Sequence, residues 1–150
     1  MSDTPAAPDA ADAPAADRAA TDSGTAATFA GPPVIAHGLV YAGTADARLL
    51  ALNATTGQER WHSVGSTLTP GYAPVVAGDV VYLLHAELGI LAFAAADGAP
   101  RWLFEGETRG ELLAPLTLAP NPTGDPDADI LYLGSDRGIL RAIQAPALNE

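Results

Sequence analysis

The chain has 150 residues, no Cys, a formal net charge of −11 and a pI near 4.3, and its seven basic residues are all Arg. An acidic, Lys-free sequence without a basic cluster excludes a phosphate-backbone binder and an anionic-membrane binder, since both need clustered cations. The missing Cys excludes disulfides and thiolate metal sites and leaves the redox compartment open, while the length allows one domain.

Residues 1–28 are mostly Ala, Pro, Asp, Ser and Thr, with Arg18 the only cation. Pro5, Pro8 and Pro14 interrupt any helix that Ala would favour. There is no apolar anchor before Phe29, so this stretch is expected to be a disordered acidic linker. It lacks the basic and apolar regions of a signal peptide, and no later run approaches the roughly 18–20 apolar residues of a transmembrane helix. The expected location is cytoplasmic as the sequence stands, and extracytoplasmic if it is a piece of a longer exported chain.

From Pro33 short apolar runs alternate with turns. Val34–Ala36, Leu39–Gly43, Leu49–Asn53 and Gln58–His62 read as four strands. The turns between them are His37-Gly38, the polar stretch Thr44–Arg48, and Ala54–Gly57. The same plan follows in Val75–Ala77, Val80–Leu84, Ile90–Ala94 and Arg101–Phe104, with Gly78-Asp79 and Ala95–Gly98 as turns. A third set is Leu116–Ala119, Ile130–Gly134 and Ile139–Ile143, with a Pro- and Asp-rich loop after the first strand.

Pro33, Tyr41, Gly57 and Trp61 each recur 41 residues later as Pro74, Tyr82, Gly98 and Trp102. A third copy starts at Pro115, reaches Tyr132, and stops before its Trp. A period of about 40–45 residues with several short strands per unit is the signature of a β-propeller blade. The expected fold is all-β: a partial β-propeller of about three four-stranded antiparallel blades, preceded by the disordered segment 1–28. The blades span about residues 33–63, 74–104 and 115–145 of a repeat domain covering 29–150. Gly57 and Gly98 are expected to supply positive φ at the last turn of each blade. Trp61 and Trp102 are expected between blades, each indole N–H finding a backbone acceptor.

Ala51-Leu-Asn-Ala-Thr-Thr-Gly57-Gln-Glu-Arg-Trp61 resembles the tryptophan-docking motif of the PQQ-binding-like (quinoprotein) propeller repeat, Ala-x-Asp-x-x-Thr-Gly-x-x-x-Trp. Asn53 stands where Asp is usual. The second copy, Ala92 to Trp102, keeps the Ala, Gly and Trp but carries its acid at Asp97, next to the Gly. The third keeps only Ala142. The resemblance covers about residues 33–144. It implies a relative of quinoprotein dehydrogenases, outer-membrane assembly lipoproteins and sensor domains of bacterial Ser/Thr kinases, which have six to eight blades. The dehydrogenases hold PQQ and calcium on a closed ring beside a vicinal disulfide. With no Cys and too few blades, cofactor binding does not carry over to this chain.

The remaining polar groups give no catalytic constellation. Asp125, Asp127 and Asp129 alternate on one loop, with Asp136 at the twelfth position, a spacing of hard oxygens that suits Ca²⁺. Ile130 occupies the sixth position, where a calcium loop needs Gly, and no Glu closes it; a solvated hairpin loop is the simpler expectation. His37, His62 and His85 have no zinc-type spacing. Glu105, Glu107 and Glu111, with Arg109 among them, read as a charged linker. Asn53-Ala-Thr55 is formally a glycosylation sequon placed in a tight turn. No catalytic, cofactor-binding or metal-ligating residue is therefore assigned.

Repeats without a site point to a non-catalytic interaction scaffold. The alternatives are the ligand-sensing part of a larger receptor such as a Ser/Thr kinase, and a fragment of a quinoprotein dehydrogenase. Three blades leave two outer faces bare, each expected to exceed the ~300–600 Å² apolar patch of an ordinary monomer. A protein partner, or self-association of two chains into a six-bladed ring, is expected to cover them. Residues 25–31 are the only in-chain candidate for a strand that completes the third blade.

Overall fold

The computed structural model describes residues 27–65, 72–85, 89–104, 116–119, 129–135 and 137–145. The Ala/Pro/Asp-rich stretch 1–26 lies outside the described residues, as do residues 105–115 and 120–128.

Three antiparallel meanders follow one another in chain order. The first joins β1 (Val34–Ala36), β2 (Leu39–Gly43), β3 (Leu49–Asn53) and β4 (Glu59–His62) in that spatial order. The second joins β5 (Val75–Ala77), β6 (Val80–His85), β7 (Gly89–Ala94) and β8 (Pro100–Phe104) in the same way. The third holds β9 (Thr117–Ala119), β10 (Ile130–Gly134) and β11 (Leu140–Gln144). Among the described residues no fourth strand pairs with β11. The short first strands approach one another, β1 near β5 and β5 near β9. This is the arrangement of a partial β-propeller, with innermost strands gathered toward one axis.

Alternation along the strands decides which side chains meet between sheets. The register sets Tyr41 opposite Ala51 and Gly43 opposite Leu49, so Tyr41, Leu49 and Ala51 share the face turned to the second blade. There they pack with Val81, Leu83, Phe93 and Ala95. The other face of the second sheet presents Val80, Tyr82, Leu84, Ile90 and Ala92 to Leu116, Leu131, Leu133 and Ala145. The middle blade is thus covered on both sides, and all six residues of β6 are buried. This explains the unbroken apolar run Val80–Leu84 where a half-exposed strand would alternate. Each fully buried Leu here contributes roughly 1.5–3 kcal/mol. By contrast β11 still alternates between exposed and half-buried residues.

The turns carry the same logic. His37 (φ 53°) and Gly38 (φ 72°) both have positive φ, as a two-residue type I′ hairpin requires. A bulge falls at the same place in two blades, between Ala51 and Leu52 and between Ala92 and Phe93. It sits beside the pairs Ala51–Trp61 and Ala92–Trp102. The small Ala leaves room for the indole opposite it.

One expectation is corrected. Residues 28–30 belong to the first blade and do not complete the third. Phe29 bridges Thr44, Ala30 N–H donates to Gly43 O (2.9 Å), and Ala45 N–H donates to Thr28 O (2.6 Å). The second blade has a matching lead-in, where Tyr72 N–H donates to Leu84 O (3.3 Å). The structural repeat therefore starts a few residues before Pro33, on a lead-in that hydrogen-bonds the end of the second strand in each of the first two blades.

Candidate functional site

The best-built polar constellation lies where the first two blades meet. Tyr41 Oη and Trp61 Nε1 leave the first blade and both donate to one carbonyl of the second, Ala95 O, at 3.0 and 3.1 Å. A carbonyl oxygen has two acceptor positions, and both are used here. Burial raises the Tyr41 pKa, so its phenol stays a donor. The two rings pack tilted, 5.9 Å apart and at 47°. Under the indole sits Gly98, with φ 73°. A Cβ there would meet Trp61 Cδ2 at 2.7 Å and Cζ3 at 3.0 Å. Gly98 is thus required twice, by its backbone angle and by the ring above it. Trp102 repeats the inter-blade position, packed against the cluster that joins blades two and three.

The turn caps explain the two departures from the motif. Asn53 Oδ1 accepts Thr55 N–H and Thr56 N–H, each at 2.9 Å. An amide oxygen serves this Asx turn as well as a carboxylate does, so Asn replaces Asp without loss of the cap. In the second blade Asp97 Oδ1 accepts Ala99 N–H at 3.0 Å, so the displaced acid caps from two residues away.

Two clefts flank the junction. One, of about 490 Å³, is lined by His37, Asn53, Arg60 and Asp79 over a floor of Leu39 and Tyr41. His37 Nε2 lies 2.5 Å from Gly78 O and donates to it, tying equivalent turns of adjacent blades. The other, of about 450 Å³, brings His62 and His85 together with Ser63, a meeting that their spacing in the sequence did not suggest. His62 Nδ1 pairs with Glu59 Oε1 at 2.6 Å on the surface, while His85 is buried at the end of β6. Ser63 Oγ accepts Leu49 N–H at 2.9 Å, a structural duty. Among the described residues no three His, Asp or Glu side chains gather as a metal site. Asp125, Asp127 and Asp136 lie outside the described residues, as do Glu105, Glu107, Arg109 and Glu111. Asp129 precedes β10, where its carbonyl accepts Ala145 N–H at 2.8 Å. With Asp79, and after burial, it raises the Tyr82 pKa.

A polar knot that the sequence reading passed over as a turn closes the β2–β3 loop. Thr44, fully buried, accepts Arg48 N–H at Oγ1 (3.0 Å) and hydrogen-bonds the Asp46 carboxylate. Asp46 Oδ2 holds Arg48 Nε at 2.6 Å. The Thr44 bond and the Arg48 charge keep the Asp46 pKa below its ordinary value against a smaller desolvation penalty. Ser135 does the same in the third blade, accepting Ile139 N–H at Oγ (3.2 Å). The available signal was a hydroxyl residue following Gly43 and Gly134.

Residues 11–146 match the family model described as outer membrane protein assembly factor BamB. The chain belongs to this PQQ-like β-propeller repeat family. Solved structures agree on the fold. BamB from Moraxella catarrhalis is 22% identical with a TM-score of 0.55, covering 80% of this chain and 34% of its own. Sqt1 from Saccharomyces cerevisiae is 15% identical with a TM-score of 0.64, covering 79% of this chain and 31% of its own. A europium-containing methanol dehydrogenase is 18% identical with a TM-score of 0.51, covering 69% of this chain and 25% of its own. The chain therefore spans about a third of the length of the first two and less of the third. No protein of curated function matches it in sequence.

Proposed function

We propose that this chain is a non-catalytic protein-interaction module that works through the open side of its third blade. The observation that carries this reading is β11. In the first two blades the third strand is paired on both sides, whereas β11 pairs only with β10 among the described residues. Leu140, its first residue, is 71% exposed, and Ile139 just before it is 44% exposed. A strand with an open ladder and bare apolar side chains is a template for another strand. In register, Ala142 stands where Ala51 and Ala92 face Trp61 and Trp102, which suits an incoming strand that carries a large side chain at that level.

Light scattering of the full chain tests this. Association is expected, and Leu140→Lys is expected to abolish it without loss of β-sheet circular dichroism. A wild-type chain that stays monomeric and binds no apolar dye would remove the reading. So would turnover of a substrate, or stoichiometric binding of PQQ with Ca²⁺. The family's description as an outer-membrane assembly factor supports an extracytoplasmic location over a cytoplasmic one. Cell fractionation that leaves the native product in the cytosol would reject that placement.

A further inference from the structure

The cleft of about 490 Å³ between the first two blades holds charge that the fold does not use. The first blade lines it with Arg60 from β4 and Asn53 from the end of β3, and the second with Asp79 from the turn between β5 and β6. Arg60 and Asp79 are exposed, and neither side chain has a hydrogen-bond or ion-pair partner among the described residues. Asn53 Oδ1 is occupied by Thr55 N–H and Thr56 N–H, which leaves the Nδ2 donors unused. Leu39 and Tyr41 form the apolar floor. His37 Nε2 donates to Gly78 O at 2.5 Å, so the turn that carries Asp79 is fixed to the blade that carries Arg60. The repeat itself does not require this set. Forty-one residues on, Arg60 recurs as Arg101, but His37 is replaced by Gly78 and Asn53 by Ala94.

We propose that this cleft binds a small zwitterion with an apolar body, the chemistry shared by a free amino acid and a dipeptide. A carboxylate pairs with the Arg60 guanidinium in the planar geometry that Arg favours, an ammonium takes the Asp79 carboxylate, and the apolar part covers Leu39 and Tyr41. The volume falls in the ~300–1,000 Å³ range of small-molecule sites. A purely anionic ligand would meet Asp79 in a chain of net charge −11, and a purely cationic one would meet Arg60. Asn53 preserves this balance, since an Asp there would cap its turn equally well and set a second carboxylate in the cleft. The tie from His37 holds the two walls in place before the ligand arrives, which lowers the cost of binding. Both walls belong to an internal joint, so the site depends neither on the β11 edge nor on what covers the outer faces.

The test is a titration of the ¹⁵N-labelled full chain with L-phenylalanine and with the dipeptide Leu-Phe. The amides of His37, Asn53 and Asp79 and the Arg60 side-chain N–H are expected to shift and saturate, while the amides of Ser63 and Gly65 in the other cleft stay put. The tighter of the two probes tells an amino-acid site from a dipeptide site. N-acetyl-L-phenylalanine lacks the ammonium and L-phenylalaninamide lacks the carboxylate; each should bind about threefold to tenfold more weakly than L-phenylalanine. Arg60→Gln should weaken L-phenylalanine by a similar factor and leave L-phenylalaninamide unchanged, and Asp79→Asn should do the same for L-phenylalanine and its N-acetyl form. Asn53→Asp should weaken both probes at an unchanged urea midpoint. The proposal is overturned if neither probe gives saturable shifts at the cleft, or if the blocked forms bind as tightly as L-phenylalanine. It is also overturned if Arg60→Gln weakens L-phenylalanine and L-phenylalaninamide alike.

Discussion

Replacing Gly98 by Ala probes the inter-blade joint with one methyl group. At φ 73° an L-residue costs about 1–2 kcal/mol in backbone strain. The new Cβ would also collide with the Trp61 ring, whose Cδ2 and Cζ3 lie 2.7 and 3.0 Å away. The indole must lift, and lifting breaks its bond to Ala95 O, worth about 0.5–1.5 kcal/mol. Exposing roughly 30 Å² of ring and its seat adds a little under 1 kcal/mol at ~25 cal/mol/Å². The sum is about 2–4 kcal/mol. Gly138 supplies the control: its φ is 75°, and a Cβ there meets nothing within 4 Å. Gly138→Ala should cost the strain alone, about 1–2 kcal/mol. Urea unfolding followed by circular dichroism separates the two, because at a slope near ~2 kcal/mol/M the Gly98 midpoint should fall by roughly 1–2 M. In a Trp61→Ala background the extra cost of Gly98→Ala should vanish, leaving only strain. Equal costs for the two glycines, or an undiminished Gly98 cost without Trp61, would refute the claim that this Gly is there for the indole.

Tyr41→Phe removes one of the two donors to Ala95 O and should destabilise by about 1 kcal/mol, read by the same urea midpoint. Thr44→Val keeps the shape of a fully buried side chain but strips Arg48 N–H of its acceptor; a loss of about 1–3 kcal/mol is expected in thermal or urea unfolding. Asp46 has a lowered folded-state pKa, so its contribution is present above the unfolded value near 3.8 and is lost as pH falls through the folded one. Asp46→Asn should therefore flatten the stability–pH curve below about pH 4, and an unchanged acid limb would contradict the Thr44–Asp46–Arg48 reading.

Much of the fold was legible because the repeat interval aligned signals that are weak singly. Strands read from Tyr41, Tyr82 and Tyr132 fall inside β2, β6 and β10. The departures are local and have physical causes. The strand read from Arg101 begins one residue earlier, at Pro100, since a strand on the edge of a sheet needs no N–H at its first residue. His85 extends β6 by one residue because it pairs with Gly89 inside a buried ladder. The inter-blade role expected for Trp61 was sound, and the identity of its acceptor was not legible. Ala95 contributes through its backbone, and its side chain carries no signal of that role. The cleft shared by His62 and His85 was hidden for another reason. It depends on how one blade's last strand lies against the next blade, and no single repeat encodes that packing.

The two ends of the array make different demands on whatever covers them. The β11 end offers a ladder that is unpaired among the described residues, with Leu140 exposed and Ala142 at the Trp-facing register. The first-blade end offers a carbonyl and a positive-φ Gly shaped like the Trp61 seat. Each repeats a position that is already filled at an internal joint, where Ala92 faces Trp102 and Ala95 receives Trp61. Whatever covers either end must therefore present its strand as a neighbouring blade does, and association of the chain that Leu140→Lys abolishes would identify a second copy as that cover at β11.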